Sequence, residues 1–213
     1  IHRGLMAFKP AENQFVLRKR INFKDAAFIV VPIPYEKTTS YGQGTKYGPS
    51  AVIDASYQIE LWDEETKEET WKKGIFTTQP VNCAMTENRF FPSLERTVEK
   101  LLSSTKAVPF FVGGEHSVTQ GLLPPFIKRH KDLSILHFDA HADLRLTFEG
   151  SRHSHACAVY PASRTNKIVQ IGIRSVGVDE RQFHNAGNVK THLMHENLDF
   201  RKLEKDILRE LTD

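Results

Sequence analysis

Cysteine is nearly absent from this sequence, which excludes the disulfide-stapled class at once. Cys83 and Cys157 are the only two in 213 residues. They are too few and too far apart for a disulfide framework or a cysteine-based zinc site, and two reduced thiols in a cytoplasmic protein are expected. Long apolar runs are missing as well. Hydrophobic residues make up 39% of the chain, yet no run approaches the roughly 18 residues of a membrane helix, so no membrane partner is expected. The start, Ile1-His-Arg-Gly, has no apolar segment of the kind a secretory signal carries. It also lacks an initiator Met, so the numbered chain need not be the whole gene product. Charge of one sign is not concentrated. A net charge of +3 comes from scattered Lys and Arg, and groupings such as Arg18-Lys-Arg20 are short. That pattern is a solvated face, with no nucleic-acid partner expected. No internal repeat, low-complexity segment or linker divides the chain, which predicts a single domain over 1–213.

What is present is an alternation of apolar runs and helical stripes. The runs 27–33, 108–112, 134–138 and 167–173 are rich in Val, Ile and Phe without strict alternation. Continuous runs of that kind suit strands of a parallel sheet buried on both faces. Helices are expected between and after them. The segment 49–65 opens on Gly-Pro-Ser with Pro near the first turn. The segment 93–103 carries Leu94, Val98, Leu101 and Leu102. The segment 117–128 should break or kink at Pro124-Pro125. The segment 201–211 carries Leu203, Ile207, Leu208 and Leu211 on one stripe. Strands alternating with helices predict an α/β fold, a three-layer αβα domain with a mostly parallel sheet. The sequence ends at Thr212-Asp213 where such a sheet would place another strand, so the domain is expected to be C-terminally truncated.

The chemistry is concentrated in two clusters. Ile135-Leu-His-Phe-Asp-Ala-His-Ala-Asp-Leu-Arg145 runs an apolar strand into Asp139, His141 and Asp143. In a strand, positions i, i+2 and i+4 share one face. Mixed carboxylate and imidazole donors suit a divalent first-row ion better than Ca²⁺ or Mg²⁺, which prefer oxygen shells. Clustered carboxylates are costly to bury unless paired or metal-bound, and a cation resolves that cost. Val112-Gly-Gly-Glu-His-Ser117 lies one strand–helix–strand crossover upstream, which would bring His116 to the same edge of the sheet. Its glycines are expected to permit a sharp turn. Glu115 is expected to point away. Ser154-His155-Ala156 follows in a loop, where a histidine beside a metal-bound water could move protons; His153 competes for that role. Ten histidines in all fit such chemistry without establishing it.

These residues resemble the ureohydrolase family of arginases, agmatinases and relatives, over nearly the whole chain. The family's N-terminal loop and helix look like 42–61, which begins Gly42-Gln-Gly-Thr-Lys-Tyr-Gly-Pro-Ser50. Its first metal motif looks like Gly113-Gly-Glu-His-Ser117 and its second like Asp139-Ala-His-Ala-Asp143. Its next strand end looks like Ile171-Gly-Ile-Arg-Ser175. The resemblance implies an arginase-like fold and an enzyme that uses two Mn²⁺ to hydrolyse a small guanidinium substrate to urea and an amine. It implies His116 and Asp143 on one metal, His141 on the other, Asp139 bridging them, and His155 as the proton-moving histidine. The two cations would generate hydroxide at neutral pH for attack on the guanidinium carbon. The Glu149-Gly-Ser-Arg-His-Ser-His-Ala156 loop suits the agmatinase branch, which makes putrescine for polyamine biosynthesis from agmatine. Guanidinobutyrase, aminopropylagmatine ureohydrolase, arginase and formiminoglutamase remain open alternatives. A homotrimer or homohexamer is implied.

One departure matters. The family carries a third metal motif, Asp-x-Asp within Ser-x-Asp-x-Asp-x-x-Asp-Pro, and no such run occurs in these 213 residues. Four of six expected protein ligands are therefore present. A chain that truly stopped at Asp213, placed by the resemblance in the turn before that motif, would be expected to bind metal weakly and turn nothing over. A non-catalytic remnant is the alternative that follows.

Overall fold

Two strands, one dominated by Val, Ile and Phe and the other by Ile and Val, sit at the centres of two sheets. A computed structural model describes residues 8–16, 21–196 and 199–211. Ile1-His-Arg-Gly, Arg18-Lys-Arg20 and Asp213, read above from sequence, lie outside the described residues. The chain divides into two compact units, Ile1–Glu115 and His116–Asp213, and every strand pair in each is parallel.

In the first unit, β1 (Phe28–Ile33) lies between β2 (Ile75–Thr77) and β3 (Val108–Gly113). Two helices belong to this unit, α1 (Gly48–Ala55) and α2 (Glu87–Ser104). Helix α1 is shorter than its pattern predicts, because a 3-10 turn at Ser56–Gln58 ends it. Helix α2 starts earlier than expected and includes Pro92. It buries Phe90, Phe91, Leu94, Val98 and Leu101, a stripe at helical spacing that packs as a core face. Tyr35, just past β1, stacks on Phe90 at 4.1 Å between ring centroids. Its hydroxyl is buried with no hydrogen-bond partner, and burial pushes its pKa well above the ordinary tyrosine value. A buried hydroxyl left unpaired costs about 1–3 kcal/mol. Tyr35→Phe is therefore expected to leave stability unchanged or raise it by about 1 kcal/mol, measured as the shift in urea midpoint. A loss of 1 kcal/mol or more would show that the hydroxyl has a partner after all.

In the second unit, β5 (Ile168–Ile173) lies between β4 (Ile135–Phe138) and β6 (Val189–Leu193). Its helices are α3 (Thr119–Arg129), the short α4 (Tyr160–Ser163) and α5 (Phe200–Glu210). Helix α3 continues through Pro124-Pro125; the break expected there does not occur, although those residues donate no backbone hydrogen bond. Asp199 caps α5, its side chain accepting from the N–H groups of Arg201 and Lys202. Leu203 of the α5 stripe is buried and Leu208 is exposed.

The four apolar runs are all strands, but they are not equally buried. Strands β1 and β5 are central and covered. Strands β3 and β4 are edges of their sheets, and they leave Phe110 52% and Phe138 70% exposed. The core of the second unit joins Ala142, Leu144, Val159, Ala162, Ile168, Ile173 and Val189. Ala142 and Leu144 flank Asp143, so the loop that carries the candidate ligands is itself anchored in the core.

Candidate metal centre

The carboxylate of Asp139 is the hub of the candidate site. Its Oδ2 lies 3.3 Å from His116 Nδ1 and 3.4 Å from His137 Nε2. Its Oδ1 lies 3.4 Å from His141 Nδ1 and accepts the His141 backbone N–H at 2.8 Å. Asp143 Oδ2 lies 2.7 Å from His116 Nδ1. The two oxygens of one carboxylate thus face different imidazoles, and His116 is shared between two carboxylates. All of these residues belong to the second unit. By distance alone, one donor atom each from His116, His137 and Asp139 lie within 4.8 Å of one another. Two carboxylates among three imidazoles form a donor set that fits a divalent first-row cation.

Charge in the cluster is mutually adjusted. Burial alone would lower the pKa of His116, but the hydrogen bond to Asp143 and the charges of Asp143 and Asp139 hold it above the ordinary histidine value. Burial alone would raise the Asp139 carboxyl. The neighbouring His137, the His141 N–H and the charge on His116 hold it well below the usual carboxylate range.

The local backbone corrects the strand-face argument. Strand β4 ends at Phe138, so Asp139 to Asp143 form a loop and do not continue the pleat. Asp143 adopts φ 50°, a left-handed conformation that a non-glycine residue holds only when its surroundings enforce it. Three contacts enforce it here. The Val159 N–H donates to the Asp143 carbonyl at 3.3 Å and the Arg145 N–H to the Ala156 carbonyl at 3.2 Å. The Leu144 N–H donates to the buried Glu180 carboxylate at 2.9 Å. Beneath Asp139, β5 bulges at Gly172, whose φ is +85° and whose missing Cβ would lie 3.2 Å from the Asp139 carbonyl oxygen.

The same motif contains a residue with a structural task. Glu115 is buried and points away from His116, as expected. It accepts from the Lys37 N–H, from the Thr38 N–H at 2.7 Å and from the Thr38 hydroxyl at 2.7 Å. Glu36 likewise accepts from the Gly44 and Lys46 N–H groups and the Thr45 hydroxyl. Two carboxylates therefore pin the Gly-rich loop of the first unit.

Comparison with known proteins shows the family. The model of the arginase family matches residues 26–213. The chain belongs to the arginase family. It is 32% identical over 182 residues to an N(1)-aminopropylagmatine ureohydrolase of Synechocystis, covering 80% of this chain and 56% of that protein. It is 29% identical over 172 residues to an agmatinase of Pyrococcus horikoshii, covering 80% and 59%. The chain thus spans rather more than half the length of these relatives. The structure of an agmatine ureohydrolase of Thermoplasma volcanium superposes with a TM-score of 0.80 at 23% identity, covering 98% of this chain and 70% of that one. The fold is therefore arginase-like and α/β, as the resemblance implied.

The histidine loop of this family member is organised from α3. Gln120 Nε2 lies within 3.0–3.3 Å of the Arg152, Ser154 and Cys157 carbonyl oxygens, and its Oε1 lies 3.0 Å from His153 Nδ1. His155 has its Nδ1 3.3 Å from Ser154 Oγ and packs edge-on against Phe148. Phe148 and Ser151 exchange both backbone hydrogen bonds around Glu149 and Gly150, which have φ 48° and 81°, the signature of a tight type I′ turn. Sequence reasoning missed His137. The two-residue period that singles out Asp139, His141 and Asp143 also includes it, but a histidine inside an apolar strand run resembles a core residue.

Proposed function

We propose that this chain belongs to an agmatinase-type ureohydrolase that hydrolyses agmatine to putrescine and urea with two Mn²⁺. The observation that carries the reading is the Asp139 carboxylate, one oxygen toward His116, which also meets Asp143, and the other toward His141. That placement supports His116 and Asp143 as ligands of one cation, His141 as a ligand of the second and Asp139 as the bridge. On the family's pattern an Asp-x-Asp motif, which these 213 residues do not contain, would supply further ligands. Cations held by these residues would supply hydroxide at neutral pH. His155 delivers a proton to the leaving amine, and the Gln120-held loop positions it. The continuous family match over 26–213 supports both units as parts of one arginase-like domain. We further propose a homotrimer or homohexamer acting on a small guanidinium in the cytoplasm; no helix among the described residues is long and apolar enough to cross a membrane.

A second reading, an aminopropylagmatine ureohydrolase, is supported by the relative at 32% identity. The test is urea release by the full-length protein with Mn²⁺ from agmatine, N(1)-aminopropylagmatine, guanidinobutyrate and arginine. Agmatine is expected to give the highest kcat/KM. A higher value for N(1)-aminopropylagmatine would establish the second reading. No urea from any of them would refute both.

A further inference from the structure

Behind the ligand cluster, a chain of polar side chains runs across the second sheet. His137, Gln170 and Thr191 are direct cross-strand neighbours on β4, β5 and β6, and all three are buried. The Thr191 hydroxyl donates to Gln170 Oε1 at 2.9 Å. Gln170 Nε2 lies 2.6 Å from the Ala142 carbonyl oxygen and 3.0 Å from His137 Nδ1. A carbonyl oxygen only accepts, so the Ala142 contact fixes which end of the Gln170 amide is the NH₂. One amide proton goes to Ala142 and the other to His137 Nδ1, which is thereby an acceptor. A neutral imidazole with a bare Nδ1 carries its proton on Nε2. That Nε2 is buried, has no well-formed hydrogen bond, and lies 3.4 Å from Asp139 Oδ2.

We propose that His137 is a positioning residue, held by Gln170 as its Nε2–H tautomer, which directs that proton at the Asp139 carboxylate and does not ligate the cation. The inference rests on the metal-centre reading above and deepens it. Ligation through Nε2 needs a lone pair there, hence a proton on Nδ1 and a Gln170 amide turned over. Turning it would set two carbonyl oxygens against each other at the Ala142 contact, a buried arrangement with no donor between them. The same amide ties the ligand loop to the strand before it, holding the His137 ring on β4 and the carbonyl of Ala142 between His141 and Asp143. Outer partners of this kind orient ligating carboxylates and set metal affinity.

The test is ¹⁵N NMR of histidine-labelled full-length protein, with His137 assigned by its absence in His137→Gln. The expected result is a protonated Nε2 and a bare Nδ1 in the metal-free protein, with the Nε2–H coupling kept when diamagnetic Zn²⁺ replaces Mn²⁺. Loss of that coupling on Zn²⁺ binding would make His137 a ligand and overturn the proposal, as would a protonated Nδ1 in the metal-free state. Gln170→Met keeps length and removes the amide. With folding verified by circular dichroism, it should weaken Mn²⁺ binding by about 10- to 100-fold in calorimetry; unchanged affinity would overturn the positioning role. If that variant does not fold, the wild-type spectra still decide. Absence of urea release alongside an intact Nε2–H signature would count against the proposed function and leave this inference standing.

Discussion

Asp139→Asn in the full-length protein is expected to abolish measurable Mn²⁺ binding at micromolar metal and to cut urea release by about 10³-fold or more. The estimate follows from the charge stabilisation a bound cation provides, several kcal/mol, at 1.36 kcal/mol per factor of ten. Asn keeps the shape and can still accept from the His141 N–H, so the substitution removes charge more than structure. The metal-free protein should respond in a defined way to pH. The Asp139 carboxyl is held below its ordinary value, so its contribution to stability is present above about pH 4 and is lost as pH falls through the folded value. His116 is held above its ordinary value, so its contribution is present below about pH 6.5 and is lost as pH rises through the folded value. Wild-type metal-free protein is therefore most favoured by this cluster between roughly those limits, and Asp139→Asn should flatten that advantage. Metal binding has the opposite slope. A cation must replace the His116 proton, so affinity should rise by about tenfold per pH unit until His116 is deprotonated. Calorimetry in buffers of different ionisation enthalpy measures the released proton directly. Affinity independent of pH between 6 and 8 would remove His116 from the ligand set.

The extent to which the site is legible in sequence follows from what each residue depends on. Asp139, His141, Asp143 and His116 stand out because ligand-type side chains at close spacing beside a strand end are costly without a cation, and that cost is a property of residue types alone. How they meet is not local. The pleat ends at Phe138, and Asp143 reaches His116 through a left-handed turn held by Glu180, a residue on a distant 3-10 turn whose role no short-range pattern encodes. His137 is hidden for a related reason: its tautomer is set by Gln170 and Thr191 on two later strands. Strands β1 and β5 were legible because their runs are dominated by Val, Ile and Phe, although β5 holds one polar residue, Gln170. Strand β2 is only three residues long and β6, Val-Lys-Thr-His-Leu, is half polar, so neither offers a continuous apolar run. Helix α3 runs on through Pro124-Pro125 although neither residue donates a backbone hydrogen bond.

Gly114→Ala is expected to destabilise the protein by about 3 kcal/mol or more, at or beyond the upper end of ordinary overpacking. The sequence gives glycine at this position a turning role, but its φ is not among the positive values. The constraint is close approach. A Cβ on Gly114 would stand 2.2 Å from the Tyr35 carbonyl oxygen and 3.1 Å from the Tyr35 carbonyl carbon and nitrogen. Those are backbone atoms, and they cannot step aside. The Tyr35 N–H is bonded to the Ile33 carbonyl at 2.8 Å and the Tyr35 carbonyl accepts the Glu115 N–H at 2.9 Å. The Tyr35 ring is fully buried against Phe90. Relief by moving Glu115 would break its bonds to Lys37 and Thr38, which pin the Gly-rich loop. Gly150→Ala is the internal control. Gly150 has φ +81° and nothing within 4 Å of its absent Cβ, so only the left-handed conformation is penalised, by about 1–2 kcal/mol. Urea denaturation of the two variants separates the mechanisms: steric exclusion predicts that Gly114→Ala loses clearly more than Gly150→Ala, whereas a purely conformational role for both glycines predicts the reverse order, since only Gly150 occupies the left-handed region.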